Sequence, residues 1–143
     1  LDATELLSRV ESALGSKLLE KGRFGRAGVA CAWVEWKGLD AAAKILRDSP
    51  ELSFDWLENL VVMQLDDSLV MTLFLGQSAG SAQLVVRASA ELKKRDLKIE
   101  APSLSEIWPT SVSFEKENAA LFGVLFGDNT STNTVFHLRK GNA

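Results

Sequence analysis

The chain has 143 residues, 46% hydrophobic and 24% charged, which suits one globular domain over residues 1–143 with a real core to bury. Its net charge of −3 lays down no broad basic footprint, so nucleic acid is excluded as the expected partner. Cys31 is the one cysteine and His137 the one histidine, which excludes an internal disulfide, a cysteine-held metal or iron–sulfur site without other ligands, and the usual poly-histidine metal sites.

Asp2-Ala-Thr-Glu5 reads as a capping box, and Leu6, Leu7, Val10, Leu14 and Leu18 follow at helical spacing. A first helix is therefore expected to run on to a stop at Gly22. Gly22, Gly25 and Gly28 are spaced like a phosphate loop, but a helix followed by a strand is the wrong order for one, and the lysine or Gly-x-Gly detail is missing. Val29 to Trp36 reads as a strand with Ala30, Ala32, Val34 and Trp36 on one face, and with Cys31 as a small buried hydrophobe. Gly38 to Arg47 reads as a second helix with Leu39, Ala42, Ala43 and Leu46 inward, ended by Asp48-Ser49-Pro50.

Phe54 and Leu57 are expected core anchors, and Trp56 reads equally as core or as partner-facing. Three strands follow at hairpin spacing, at 60–65, 69–75 and 82–88, joined by Asp66-Asp67-Ser68 and by residues 76–81. Asp66 and Asp67 make a polar turn tip rather than a metal site, since no third ligand is near in sequence. Residues 91–96 form a charged, solvated connector.

Pro102 to Phe126 carries the most information. Ser103 and Glu106 have capping-box spacing, and Trp108-Pro109 stops that turn because the residue before proline is pushed out of the helical region. Thr110, Ser111 and Ser113 offer caps for a helix through Phe122, and Gly123 suits its left-handed end. Phe114, Leu121 and Phe122 are expected to face the core, with Glu115, Lys116, Glu117 and Asn118 outward. Residues 127–143 read as a flexible or docked tail. Val135–Arg139 is a candidate short strand or docked segment within it, and His137 a surface or interface residue rather than a catalyst. Asn129-Thr130-Ser131 matches a glycosylation acceptor, but no charged-then-apolar leader marks a secretory signal and no apolar run spans a bilayer. The expected location is cytoplasmic, with any membrane reached through partners.

This stretch resembles the signature of the 30 kDa subunit (the C subunit) of respiratory complex I, the NADH:quinone oxidoreductase, and of its hydrogenase relatives. The matching positions are Pro102, Ser103, Ile107, Trp108, Pro109, Glu115, Glu117, Leu121, Phe122, Gly123 and Phe126. Lys116 stands where the family has arginine, Ala120 where it has aspartate, and Gly127-Asp128-Asn129 where Gly-His-Pro usually follows. Phe54-Asp55 with Leu57, and the strand ending at Arg87, fit the same family.

The resemblance implies a non-catalytic assembly subunit of the peripheral arm on the cytoplasmic face of the membrane. It would pack against the quinone-site (49 kDa) subunit. No cofactor is implied for this chain; NAD, FMN, iron–sulfur clusters and quinone belong to partner subunits. The implied interface takes in Pro102, Ser103, Trp108, Pro109, Glu115, Lys116, Glu117, Phe122 and Gly123. Trp108 and Pro109 would make a hydrophobic corner, and Glu115 and Glu117 would reach basic partner residues. The plainer reading makes Trp108 and Phe122 core. An acid/base pair of Glu115 and Glu117 is disfavoured, because helical residues two apart point about 200° apart. The alternatives are the equivalent subunit of a membrane-bound hydrogenase-type complex and a divergent stand-alone adaptor. The expected fold is α+β: two N-terminal helices on a mixed or mostly antiparallel sheet of four or five strands, two layers deep, with the C-terminal helical segment at one edge.

Overall fold

A computed structural model of the chain describes residues 1–93 and 98–127. The element order is α1 (Ala3–Leu14), β1 (Leu18–Phe24), β2 (Val29–Val34), α2 (Leu39–Asp48), β3 (Trp56–Leu65), β4 (Ser68–Gly76), β5 (Leu84–Glu91), β6 (Ile99–Ala101), α3 (Ser111–Phe122) and β7 (Val124–Phe126). Five strands form one mixed sheet in the order β1-β2-β5-β4-β3, and β6 pairs with β7 in a small parallel sheet. Only β2 and β5 run parallel within the large sheet; its other neighbours are antiparallel. The α+β architecture expected from the sequence is the one observed.

Helix α1 begins as its capping pattern requires, with the Glu5 backbone N–H donating to Asp2 Oδ1 at 2.8 Å. Leu6, Leu7, Val10 and Leu14 are buried along one stripe. The helix does not reach Gly22. Gly15 adopts φ +55°, a backbone conformation that favours glycine, and the chain leaves the helix there. Leu18 to Phe24 is instead an edge strand, paired antiparallel with β2. Gly25 and Gly28 both take positive φ in the turn between these strands, and the Gly28 N–H donates to the Gly25 carbonyl at 3.2 Å. The spaced glycines thus serve a hairpin rather than a phosphate.

Strand β2 and helix α2 follow their patterns: Ala30, Ala32 and Val34 are buried, as are Leu39, Ala42, Ala43 and Leu46. Cys31 is buried too, and that burial pushes its thiol pKa up. Phe54 and Leu57 are core residues, whereas Trp56 is 53% exposed. Strand β3 starts earlier than expected, at Trp56, with an irregularity between Leu57 and Asn59. The β3–β4 turn is the two residues Asp66-Asp67, since Leu65 pairs with Ser68, and Asp66 takes φ +54°. Ala82 lies outside β5, which begins at Leu84; its N–H donates to Gln77 Oε1 at 3.3 Å. Helices α1 and α2 pack together on one face of the sheet, and α3 lies along its β3 edge.

Candidate functional site

The stretch from Pro102 to Gly127 leaves β6, makes a tight turn, enters α3 and returns as β7. Trp108 holds the turn to the core. It is 2% exposed, and its Nε1–H donates to the Phe54 carbonyl at 2.9 Å. Its backbone N–H closes the turn on the Leu104 carbonyl at 2.8 Å. Pro109, next to it, is exposed. Arg47 of α2 braces the same turn, donating from Nη1 to the Ile107 carbonyl at 3.2 Å while its Nε bonds Asp48 Oδ1 at 2.7 Å.

Ser103 does not cap a helix with Glu106. Its hydroxyl donates to Glu115 Oε1 at 2.8 Å and accepts from the Ser105 N–H at 3.2 Å. Glu115 is fully buried, not outward, and gathers two further donors on Oε2: the Leu104 N–H at 2.9 Å and the Ser111 hydroxyl at 2.6 Å. One carboxylate therefore ties two points of the turn and the first residue of α3 together, as a buried acceptor requires. That enclosure removes the expected role of Glu115 as a direct contact to basic partner residues.

Asn118 is the second reversal. The sequence pattern turns it outward, yet it is 5% exposed and faces the open edge of β3. Its Oδ1 accepts from the Val62 N–H at 2.9 Å, and its Nδ2 donates to the Leu60 carbonyl at 3.0 Å and to the Phe114 carbonyl at 2.8 Å. The side-chain amide thus imitates a neighbouring strand and covers two ladder groups of an edge that would otherwise invite pairing. Asn118→Ala is expected to destabilise the chain by about 2 kcal/mol, because it leaves a buried N–H and C=O unpaired. Thermal melts and light scattering check this; an unchanged melting temperature without added aggregation would refute it.

The inward stripe of α3 is Ser111, Glu115, Asn118 and Ala119. Leu121, expected in the core, is 63% exposed, and Phe122 is 36% exposed. Lys116 and Glu117 face solvent as expected. Buried Glu115 and exposed Glu117 do not converge on one point. Thr110 stands at the N-cap position but makes no side-chain cap bond, and Ser113 bonds the Thr110 carbonyl at 3.2 Å instead. Gly123 ends the helix in the left-handed region at φ +69°.

Pro102 and Ser103 are half-buried beside Gly127. Gly127 has φ +30°, and a Cβ there would lie 2.9 Å from the Ser103 backbone nitrogen. Gly127→Ala is accordingly expected to displace the turn and lower stability by about 1–2 kcal/mol in urea unfolding. A wild-type midpoint would show that the two backbones are not in contact. The candidate strand at 135–139 and His137 lie outside the described residues. Among the described residues, no three His, Cys, Asp or Glu side chains gather in a way that would hold a metal ion.

Sequence and structure comparisons agree with this organisation. The chain is 27% identical over 129 residues to the C subunit of NADH-quinone oxidoreductase from Roseiflexus castenholzii (strain DSM 13941 / HLO8), covering 88% of this chain and 71% of that protein. The same protein of Roseiflexus sp. (strain RS-1) is 26% identical with the same coverage. Among solved structures, a chain of the membrane-bound sulfane sulfur reductase (MBS), an archaeal respiratory membrane complex, superposes with TM-score 0.72 at 14% identity, over 88% of this chain and 71% of that one. The trypsin-resistant fragment (1-134) of Nqo5 gives TM-score 0.64 at 15% identity, over 87% and 96%. At such identities the two structures speak to the fold alone. The profile of the respiratory-chain NADH dehydrogenase 30 Kd subunit family matches residues 32–140, and with most of the chain matched, this protein belongs to that family.

Proposed function

We propose that the chain is a non-catalytic structural subunit of the peripheral arm of an NADH:quinone oxidoreductase. In this reading it packs against the quinone-site subunit and supports electron transfer from NADH to quinone. NAD, FMN, iron–sulfur clusters and quinone are held by partner subunits. The chain sits on the cytoplasmic face of the membrane through those partners; among the described residues, no helix is long and apolar enough to cross it.

The observation that carries the reading is the division of labour within α3. Its polar inner stripe serves the fold, while Lys116, Glu117 and Leu121 lie outward and Pro109 is exposed just before the helix, an apolar and charged mixture typical of a contact between subunits. Glu115 and Trp108 then position this surface from beneath rather than touching a partner.

The test is affinity capture from detergent-solubilised native membranes followed by mass spectrometry. The wild-type chain is expected to bring down flavin, iron–sulfur and quinone-site subunits. Glu117→Lys combined with Leu121→Asp should cut that recovery at least tenfold without shifting the melting temperature of the isolated chain. Recovery of no partner subunit, with the wild-type protein monomeric and soluble, would sink the reading. A second reading, a related respiratory membrane complex of the hydrogenase type, draws support from the likeness to the MBS chain; recovery of nickel-hydrogenase maturation partners would favour it.

A further inference from the structure

Among the described residues the large sheet turns its main core to one face; on the other, Cys31, Val70, Thr72 and Val85 are buried at the centre while the β3 side chains Trp56, Met63 and Leu65 stay exposed. Every sheet residue of the main core cluster, such as Ala32, Val86, Leu73 and Leu60, points to the side of α1 and α2. On the other side, registered pairs place Glu20, Trp33, Arg87, Thr72 and Val61 in one row across all five strands. None of that row belongs to the core cluster.

Arg87 sits at the centre of this face with an unusual set of neighbours. Its guanidinium lies 4.9 Å from the centroid of the Trp33 ring and 5.4 Å from that of Phe24, and its Nε donates to Thr72 Oγ1 at 3.1 Å. Aromatic faces orient a guanidinium and lower its hydration without neutralising it. Among the described residues, no carboxylate pairs with it, so its two terminal nitrogens are fixed and without an anion. Two strands away, along β3, the same face is apolar: Trp56 is 53% exposed, Met63 44% and Leu65 45%. Phe24 and Phe74 meet edge to face at 5.6 Å and line a concavity of about 250 Å³. The exposed carboxylates Glu20, Glu58 and Glu91 stand toward the margins and outnumber Arg26, which lines the concavity beside Glu58.

We infer that the exposed part of this sheet face docks a segment of a different protein chain. That segment inserts an aspartate or glutamate at Arg87 among apolar side chains and carries lysine or arginine at its edges. Charge complementarity selects this occupant. A planar guanidinium held in an apolar setting matches a carboxylate bidentately, and acidic margins match a basic rim. A second copy of the chain is disfavoured, because a twofold contact would bring Arg87 toward Arg87 and acidic margin toward acidic margin. The patch follows β3 from Trp56 to Leu65, roughly 30 Å at about 3.3 Å per residue, which is too long for a small anion to fill. The proposal goes beyond the α3 contact and uses none of its residues.

The experiment places a photo-crosslinking benzoylphenylalanine at position 63 of the full chain in cells that make the native protein. Irradiation of solubilised membranes is followed by mapping of the cross-linked peptide. The expected adduct joins a different chain at a peptide with an Asp or Glu flanked by Lys or Arg. Arg87→Glu should reduce it at least tenfold, and reversing that partner carboxylate to arginine should restore half or more. Leu65→Glu, at an exposed position where folding is not at stake, should also reduce it several-fold and guards against an unfolded Arg87 variant. An adduct to a second copy, to residues 128–143 of the same chain or to lipid would overturn the proposal. So would no adduct, or one indifferent to both variants. Because the readout is the mapped peptide, it survives the failure of the α3 reading.

Discussion

Trp108→Ala is expected to lower the stability of the isolated chain by about 4 kcal/mol, the middle of the range for removing a buried aromatic side chain. The indole is 2% exposed, so truncation forfeits its burial and leaves a cavity that the turn can only partly close. It also strips the Phe54 carbonyl of its donor, although Phe54 itself is fully buried. At about 3 °C per kcal/mol for a domain of this size, the melting temperature should fall by roughly 12 °C. Trp108→Phe keeps most of the volume and loses the N–H, so about 1–2 kcal/mol separates it from wild type. The pair of variants decides between two roles for the Trp-Pro corner. If Trp108 anchors the turn, both variants shift the melt in that order, and any assembly defect follows from the loosened turn. If the isolated Trp108→Ala chain melts with the wild type and only assembly suffers, the indole contacts a partner, and its burial here is misassigned.

The parts of this fold legible in the sequence are those in which apolar residues mark the buried face. Leu39, Ala42, Ala43 and Leu46 form a helical stripe, and 60–65, 69–75 and 82–88 sit between plain turn signals, so α2 and the central strands can be placed from spacing to within a few residues, β3 beginning at Trp56 and β5 at Leu84. Strand β1 is hidden because Leu14 and Leu18 keep a helical interval across Gly15, while its Glu20-Lys21-Gly22-Arg23 run has the polarity of an edge. Strands β6 and β7 are three residues each, too short to show a period. Helix α3 reads with its faces exchanged for a different reason. It buries Ser111, Glu115 and Asn118 and exposes Leu121, so sorting by polarity gives the wrong side. The usable signal is geometric: residues 111, 115, 118, 119 and 122 share one helical face whatever their polarity. Ser103 shows the same limit, because the nearest glutamate in sequence is Glu106 while the one it bonds is Glu115. Long-range polar pairing leaves no local period to read.

Glu115→Ala is expected to cost about 3 kcal/mol, and the size of the loss turns on which donors are left without an acceptor. The Ser103 and Ser111 hydroxyls can rotate toward other oxygens, but the Leu104 N–H is fixed by the backbone and buried. A charge-assisted bond of this kind contributes about 1.5–3 kcal/mol, and with both hydroxyls free to turn elsewhere the orphaned Leu104 N–H sets the size of the loss. Glu115→Gln separates charge from shape. Its carbonyl oxygen can take the Oε2 position, serving Leu104 N–H and Ser111, while its NH₂ donates to the Ser103 hydroxyl at the Oε1 position. The expected cost is then only about 1–1.5 kcal/mol, the loss of charge assistance alone. Urea unfolding of the two variants measures the difference, and hydrogen exchange at the Leu104 amide locates it. Alanine should accelerate that exchange strongly, and glutamine only slightly. If Glu115→Ala and Glu115→Gln proved equally mild, the carboxylate would not be what joins the turn to α3. The surface placement of Pro109, Lys116 and Glu117 would then need another cause. If the alanine variant loses both stability and recovery of partner subunits, while Glu117→Lys with Leu121→Asp loses recovery alone, then Glu115 is the residue that positions the surface and the α3 row is the surface itself.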